Sequence, residues 1–248
     1  MIKKLEELGR YIMLMQRVFS RPVKRPIFFR QLLDEMEKLG LNSIPIITII
    51  SFFIGAVVVI QMAINLESPF IPKNLIGYAT RETLILEFSS TIAALILAGK
   101  IGSNIASEIG SMRITEQIDA LDVMGINSAN YLILPKITAA LIFFPALTIL
   151  SMAVGVFGGY VIMFTLESVT PNDYLTGIVY DFRPYSVVYG VTKAVVFAFI
   201  ITSVASFYGY YAKGSSLEVG RSSTKAVVTS IISVLVFNLI LTKLFFSY

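Results

Sequence analysis

Two ionisable residues, Glu87 and Lys193, stand inside apolar runs. A charge is expensive there, and its default reading is functional. Glu87 falls near one end of the second apolar run, and Lys193 about two turns into the fourth from the same side. A carboxylate and an ammonium at such depth suit an ion pair, a relay or a contact with a charged cargo. The other concentration of polar chemistry is Glu108 to Leu121, a mostly acidic segment caught between two long apolar runs. Ile114, Ile118 and Leu121 recur at helical spacing, Glu116, Asp119 and Asp122 form an acidic edge, and Thr115 reads as an N-cap. The pattern predicts a short amphipathic helix in water, fit to receive force from a soluble partner; a solvated helix with no partner is the plainer alternative. Enzyme chemistry has little to work with. The chain has no His and no Cys, so histidine catalysis and thiolate metal sites are excluded and no metal site is expected. Gly99-Lys100 lacks the spacing of a phosphate loop, so the chain is not expected to hydrolyse ATP. No serine–base pair or intramembrane aspartate pair is present, and no catalytic residue is expected.

The elements that must carry these groups are membrane elements. Of 248 residues, 56% are hydrophobic and only 15% charged, with a mean hydropathy of +0.78. That composition predicts an all-α polytopic membrane protein. The net charge of +4 comes from cations beside the spans, which suits a cytoplasmic membrane face and not nucleic acid. Residues 1–40 read as an amphipathic, basic preface. Ile2, Leu5, Leu8, Ile12, Met15 and Phe19 step by three or four, as in a helix lying in the interface plane. The run from Arg21 to Pro26 breaks it, and a second amphipathic piece follows with Phe28, Phe29, Leu32, Leu33, Met36 and Leu39 on one side. Residues 41–248 read as the transmembrane domain. Spans are expected over roughly 44–64, 84–106, 132–166 (one helix, kinked near Pro145), 187–207 and 226–246. Polar loops fill 65–81, where Pro69 and Pro72 stand, and 167–186; a Gly/Ser-rich loop covers 209–225.

Ser90, Ala94, Ala98, Gly102, Ala106 and Gly110 recur every fourth residue along the second span, and Gly155 and Gly159 form a similar pair in the third. Rows of small residues let helix backbones approach closely in lipid. Lys and Arg crowd the N-terminal segment, the flanks of the acidic helix and the Gly/Ser loop. The positive-inside rule therefore predicts a cytoplasmic N-terminus and acidic helix, with the C-terminus outside.

The run A-G-K-I-G-S-N-I-A-S-E-I-G-S-M-R-I-T-E-Q-I-D-A-L at 98–121 closely resembles the MlaE family, permeases of ABC transporters that work with MCE-domain proteins in lipid traffic. The likeness continues through 124–126, 131–136, 193–198 and 219–228. What the resemblance implies is a homodimeric permease of the bacterial inner membrane with a separate ATPase on its cytoplasmic face, an MCE-domain protein in the periplasm, and phospholipid as cargo. ATP and Mg would be bound by the partner subunit, and this chain would hold no cofactor. By the same resemblance Glu108, Gly110, Met112, Arg113, Thr115, Glu116, Gln117, Asp119 and Leu121 would belong to a coupling helix that docks into the ATPase. Leu86, Glu87 and Phe88, with Lys193, would lie near a lipid cavity. This chain departs from the family where Leu86 replaces a frequent Arg, and where Asn127, Ser128 and Asn130 replace a frequent Pro and Arg. The residues by themselves leave two other readings open: an ion-coupled secondary transporter using Glu87 and Lys193 as a relay, or a membrane scaffold that recruits a soluble partner.

Overall fold

The computed structural model describes residues 2–20, 25–66, 72–166 and 169–246. The expected break over residues 21–24, Pro69 and the start of the second polar loop at Glu167 lie outside the described residues. Among the described residues the chain is helical and has no strand. The helices are α1 (Ile2–Ser20), α2 (Arg25–Glu35), α3 (Ile44–Asn65), α4 (Asn74–Thr83), α5 (Ala93–Leu97), α6 (Ser103–Ile114), α7 (Gln117–Val123), α8 (Ser128–Ile162), α9 (Pro171–Val179), α10 (Pro184–Tyr210) and α11 (Ser216–Phe246). Short π and 3-10 turns join α2 to α3, and π segments at Leu84–Ile92 and Ala98–Gly102 join α4 to α5 and α5 to α6. Five stretches among the described residues are long and apolar enough to cross a membrane: Arg25–Asn65, Asn74–Ile114, Ser128–Thr165, Pro184–Tyr210 and Ser216–Phe246. The third is a single helix, as its length demanded. The polar flanks predicted as loops are largely helical, because a helix satisfies its own backbone and one begun in lipid continues into the interface.

The chain divides into two compact units. One comprises Met1–Asn42, Leu95–Phe143 and Val196–Ile240; the other comprises Ser43–Ala94, Phe144–Val195 and Leu241–Tyr248. In the second unit, α3 and α8 meet backbone to backbone. Ser51 and Gly55 on α3 face Ser151 and Gly155 on α8. The Ser51 hydroxyl donates to Ser151 Oγ at 2.8 Å, and a Cβ on Gly55 would overlap the Gly155 carbonyl. A small residue every fourth position permits this approach. The same device closes α4 on α9, where a Cβ on Gly77 would strike the Tyr174 carbonyl and one on Gly177 the Asn74 carbonyl. Val59, Ala63, Ile76, Met163, Val169 and Tyr174 fill the core beside them.

Helix α9 was not expected within the second polar loop, although its start signal is plain. Thr170 and Asp173 form a reciprocal capping box, with Pro171 in the first turn. The loop that follows is gathered by Arg81, which is 2% exposed. Arg81 donates to the carbonyls of Ile178, Tyr180 and Asp181 and lies over the rings of Tyr78 and Phe182.

In the first unit the small-residue row is also spent within the chain. Ala98 and Ala106 are fully buried, Gly102 faces Ile201 and Ala205 on α10, and Gly209 abuts Ala106. Ala94, in the second unit, is buried too. These residues hold one protomer together, whereas the parallel row Gly99, Ser103, Ser107 and Ser111 stays half-buried to exposed, with open space around Gly99.

Candidate functional site

The segment between the second and third spans is not one helix. α6 runs on through Glu108 to Ile114, Thr115 serves as its C-cap, and α7 begins only at Gln117. Thr115 is thus a terminator and not the N-cap its side chain suggested: its hydroxyl folds back on Ser111 O at 2.8 Å. Glu116 makes the corner in a left-handed conformation, φ 60°, which costs a non-glycine residue roughly 1 kcal/mol. Arg113 closes the corner by donating to Asp119 Oδ1 at 2.7 Å.

The apolar stripe points inward. Ile118 is fully buried, and Ile114 and Leu121 are half-buried. What the corner presents to its surroundings is Thr115, Glu116, Gln117 and Asp119, followed by Val123 and Met124 at 88% and 66% exposure. Gly110 packs against Val219 and Ala212. Glu108 is held by Lys136 at 2.6 Å and, more loosely, by Lys38 at 3.8 Å. Of the residues assigned to this element, Glu108 and Gly110 therefore build its foundation, and Glu116, Gln117 and Asp119 face outward.

That foundation has two polar ties that sequence reasoning missed. Lys136, 3% exposed on α8, bonds Glu35 of α2 at 2.7 Å as well as Glu108 of α6. Lysine in an apolar helix is the signal that would have found it, since a buried cation needs partners. The second tie binds α1. Arg17 donates to Asp122 Oδ1 at 2.7 Å and to the Tyr210 hydroxyl at 3.2 Å. Asn127 and Asn130 donate their side-chain amides to the carbonyls of Arg17 and Val18 in the last turn of α1. The Ser20 hydroxyl also donates to the Arg17 carbonyl at 3.0 Å, so side chains from inside and outside α1 share the capping of its last turn. Burial alone would raise the Asp122 carboxyl, but hydrogen bonds from Ser128 and Arg17, reinforced by the guanidinium charge, hold it below the usual carboxylate range. Leu14, Met15 and Val18 of α1 are buried, while Leu5, Leu8, Ile12, Met13 and Phe19 are exposed along its other flank.

In the second unit Glu87 and Lys193 come together. Lys193 is wholly buried. Its ammonium donates to Glu87 Oε2 at 2.8 Å and to the Leu86 carbonyl at 3.1 Å, and it lies 4.9 Å from the centre of the Tyr189 ring. The π segment at Leu84–Ile92 makes this possible, because a π turn breaks the regular backbone ladder and leaves a carbonyl for another donor. The Thr91 hydroxyl donates to Glu87 Oε2 at 2.8 Å. Tyr189 is fixed by a hydroxyl contact with Thr242 at 2.7 Å and by ring contacts with Phe245 and Phe246. The Glu87 side chain remains 42% exposed, so a buried cation is presented through a half-open carboxylate. Leu86 and Phe88 flank it, both half-buried.

The family model described as Permease MlaE matches residues 32–244. The chain belongs to the MlaE permease family. It is 34% identical over 245 residues to a probable ABC transporter permease protein of Rickettsia bellii, covering 99% of this chain and 94% of that one. A probable ABC transporter permease protein of Synechocystis is also 34% identical, over 93% of this chain and 87% of its own. The intermembrane phospholipid transport system permease protein MlaE of Haemophilus influenzae is 31% identical, over 96% of this chain and 92% of its own. The protein is therefore a multi-pass membrane permease subunit of the ABC transporter class, with five apolar spans among its described residues.

Proposed function

We propose that this permease moves phospholipid between a bacterial inner membrane and an MCE-domain protein in the periplasm, driven by separate ATPase subunits. The observation that carries the reading is the family match over nearly the whole chain, together with the likeness to a phospholipid-transport permease. ATP and Mg belong to the partner subunit in this scheme, and the chain acts as a homodimer. The α6–α7 corner is the coupling element. Its exposed Glu116, Gln117 and Asp119 offer acceptors to the ATPase, and Val123 and Met124 supply the apolar contact. Pulling on this corner moves α6 and α8 together, because Lys136 joins Glu108 to the base of α8. At the lipid cavity the Glu87–Lys193 pair meets the cargo. Lys193 supplies the cation that the missing Arg would have given, and Glu87 masks it until a phosphate competes. By the positive-inside rule the N-terminus and the corner lie in the cytoplasm.

Reconstitution of the complex in liposomes tests the scheme. Substituting Glu116→Ala with Asp119→Ala in the assembled complex should abolish lipid-stimulated ATP hydrolysis while the subunits still co-purify. Unchanged stimulation would remove the coupling role from this corner. Because the chain has no Cys, a Val123→Cys variant reports the corner's side directly. Labelling by an impermeant maleimide only after inside-out exposure is expected; labelling from outside intact cells overturns the orientation.

A further inference from the structure

We propose that the first unit carries a headgroup site for an aminophospholipid of the phosphatidylethanolamine type, formed between α2, the end of α6 and the start of α8. A cleft of about 670 Å³ opens there, within the roughly 300–1,000 Å³ typical of small-molecule sites. Its walls carry both signs of charge: Arg30, Lys38 and Lys136 against Asp34, Glu35 and Glu108. Lys136 is already spent between Glu35 and Glu108. Arg30 and Asp34 are exposed and make no ion pair among the described residues. Glu35 is only 8% exposed, and among the described residues its second carboxylate oxygen has no hydrogen-bond partner; neither has the side-chain carbonyl of Gln31, one helical turn away. Buried acceptors left unmade are costly, so the site favours a ligand that brings N–H donors.

The surroundings say what carries those donors. The other face of α2 exposes Phe29 and Leu33 at 59% and 65%, and Ile27 at the cleft's edge is 44% exposed. An apolar face beside a charged cleft on one helix sits at the boundary between acyl chains and headgroups. A phospholipid alongside α2 therefore sets its headgroup level with the cleft. Arg30 takes the phosphate, while Asp34 and Glu35 take the ammonium. Phosphatidylcholine satisfies the first contact but has no N–H for the second. None of these residues is shared with the Glu87–Lys193 pair.

Native mass spectrometry of the full-length protein, titrated with dioleoyl phosphatidylethanolamine, phosphatidylcholine or phosphatidylglycerol, tests the assignment. One ethanolamine lipid per chain is expected to bind about tenfold more tightly than the choline lipid, as a charge-assisted hydrogen bond would give. Glu35→Gln and Asp34→Asn should abolish that preference, and Arg30→Gln should weaken both zwitterionic lipids alike; Glu218→Gln, in an exposed pair on α11, should leave it intact. Asp34 and Arg30 are exposed and make no ion pair among the described residues, so their variants report binding even where Glu35→Gln impairs folding. Equal retention of the two zwitterionic lipids, a stronger hold on phosphatidylglycerol, or indifference to all three cleft variants overturns the proposal. So does protection of an Ile27→Cys thiol by the ATPase subunit alone in lipid-free detergent, which makes the cleft a protein-docking surface.

Discussion

Lys136→Met puts the buried triad to the test. The substitution keeps the length of the side chain and removes its charge. Lys136 is the ammonium between Glu35 Oε1 at 2.7 Å and Glu108 Oε2 at 2.6 Å. Its loss strands one carboxylate whose side chain is 11% exposed and a second that is 35% exposed. Breaking a buried pair by removing one partner costs about 3–5 kcal/mol. Glu108 keeps water and the more distant Lys38, so most of the penalty falls on Glu35, and about 3 kcal/mol is expected. For a chain of this size that lowers the melting temperature by about 6–12 °C. The assay is thermal aggregation of detergent-solubilised protein followed by size-exclusion fluorescence. The double variant Lys136→Met with Glu35→Gln should recover most of the loss, since it removes the stranded charge itself. A single variant that melts within about 2 °C of the wild type, or a double variant no better than the single, refutes the claim that this triad is a buried, mutually dependent joint.

The close helix crossings make a second test. Gly55→Ala and Gly177→Ala drive a methyl into facing backbone carbonyls and should each cost about 1–3 kcal/mol in thermal stability. Gly220→Ala, in α11 with open space around it, should instead be neutral or gain up to about 1 kcal/mol. Acid should loosen α1. Asp122 has a depressed pKa, so its contribution is present above the unfolded carboxylate value of about 4 and is lost as pH falls through the folded value. Hydrogen exchange in the last turn of α1 should therefore rise at low pH in the wild type, and be already raised and pH-insensitive in Asp122→Asn.

Much of the site was legible because it rests on residue types and intervals. Glu87 and Lys193 declared themselves by being charged in apolar runs, and the fold brings them together as an ion pair, one of the readings their depth left open. The polar segment at 108–121 was equally visible, yet its geometry was not. Ile114, Ile118 and Leu121 have the period of a docking stripe, but period gives a face and not what the face meets; here they turn toward the protein itself. Thr115 suits an N-cap by type, and only the path of α6 makes it a C-cap. Asn127 and Asn130 look like departures from a family pattern until the carbonyls of α1 are seen beneath them.

The sequence alone determined that this chain crosses a membrane about five times, because burial in lipid constrains composition and length before any contact forms, and the run at 98–121 carried the resemblance to ABC permeases. It also marked which charges are too costly to be idle. The tertiary structure decided their partners: Lys136 with Glu35 and Glu108, Arg17 with Asp122, and Gly55 against Gly155. Those pairings join positions tens to more than a hundred residues apart, and no local pattern encodes which of many chemically suitable partners a folded helix will bring within reach.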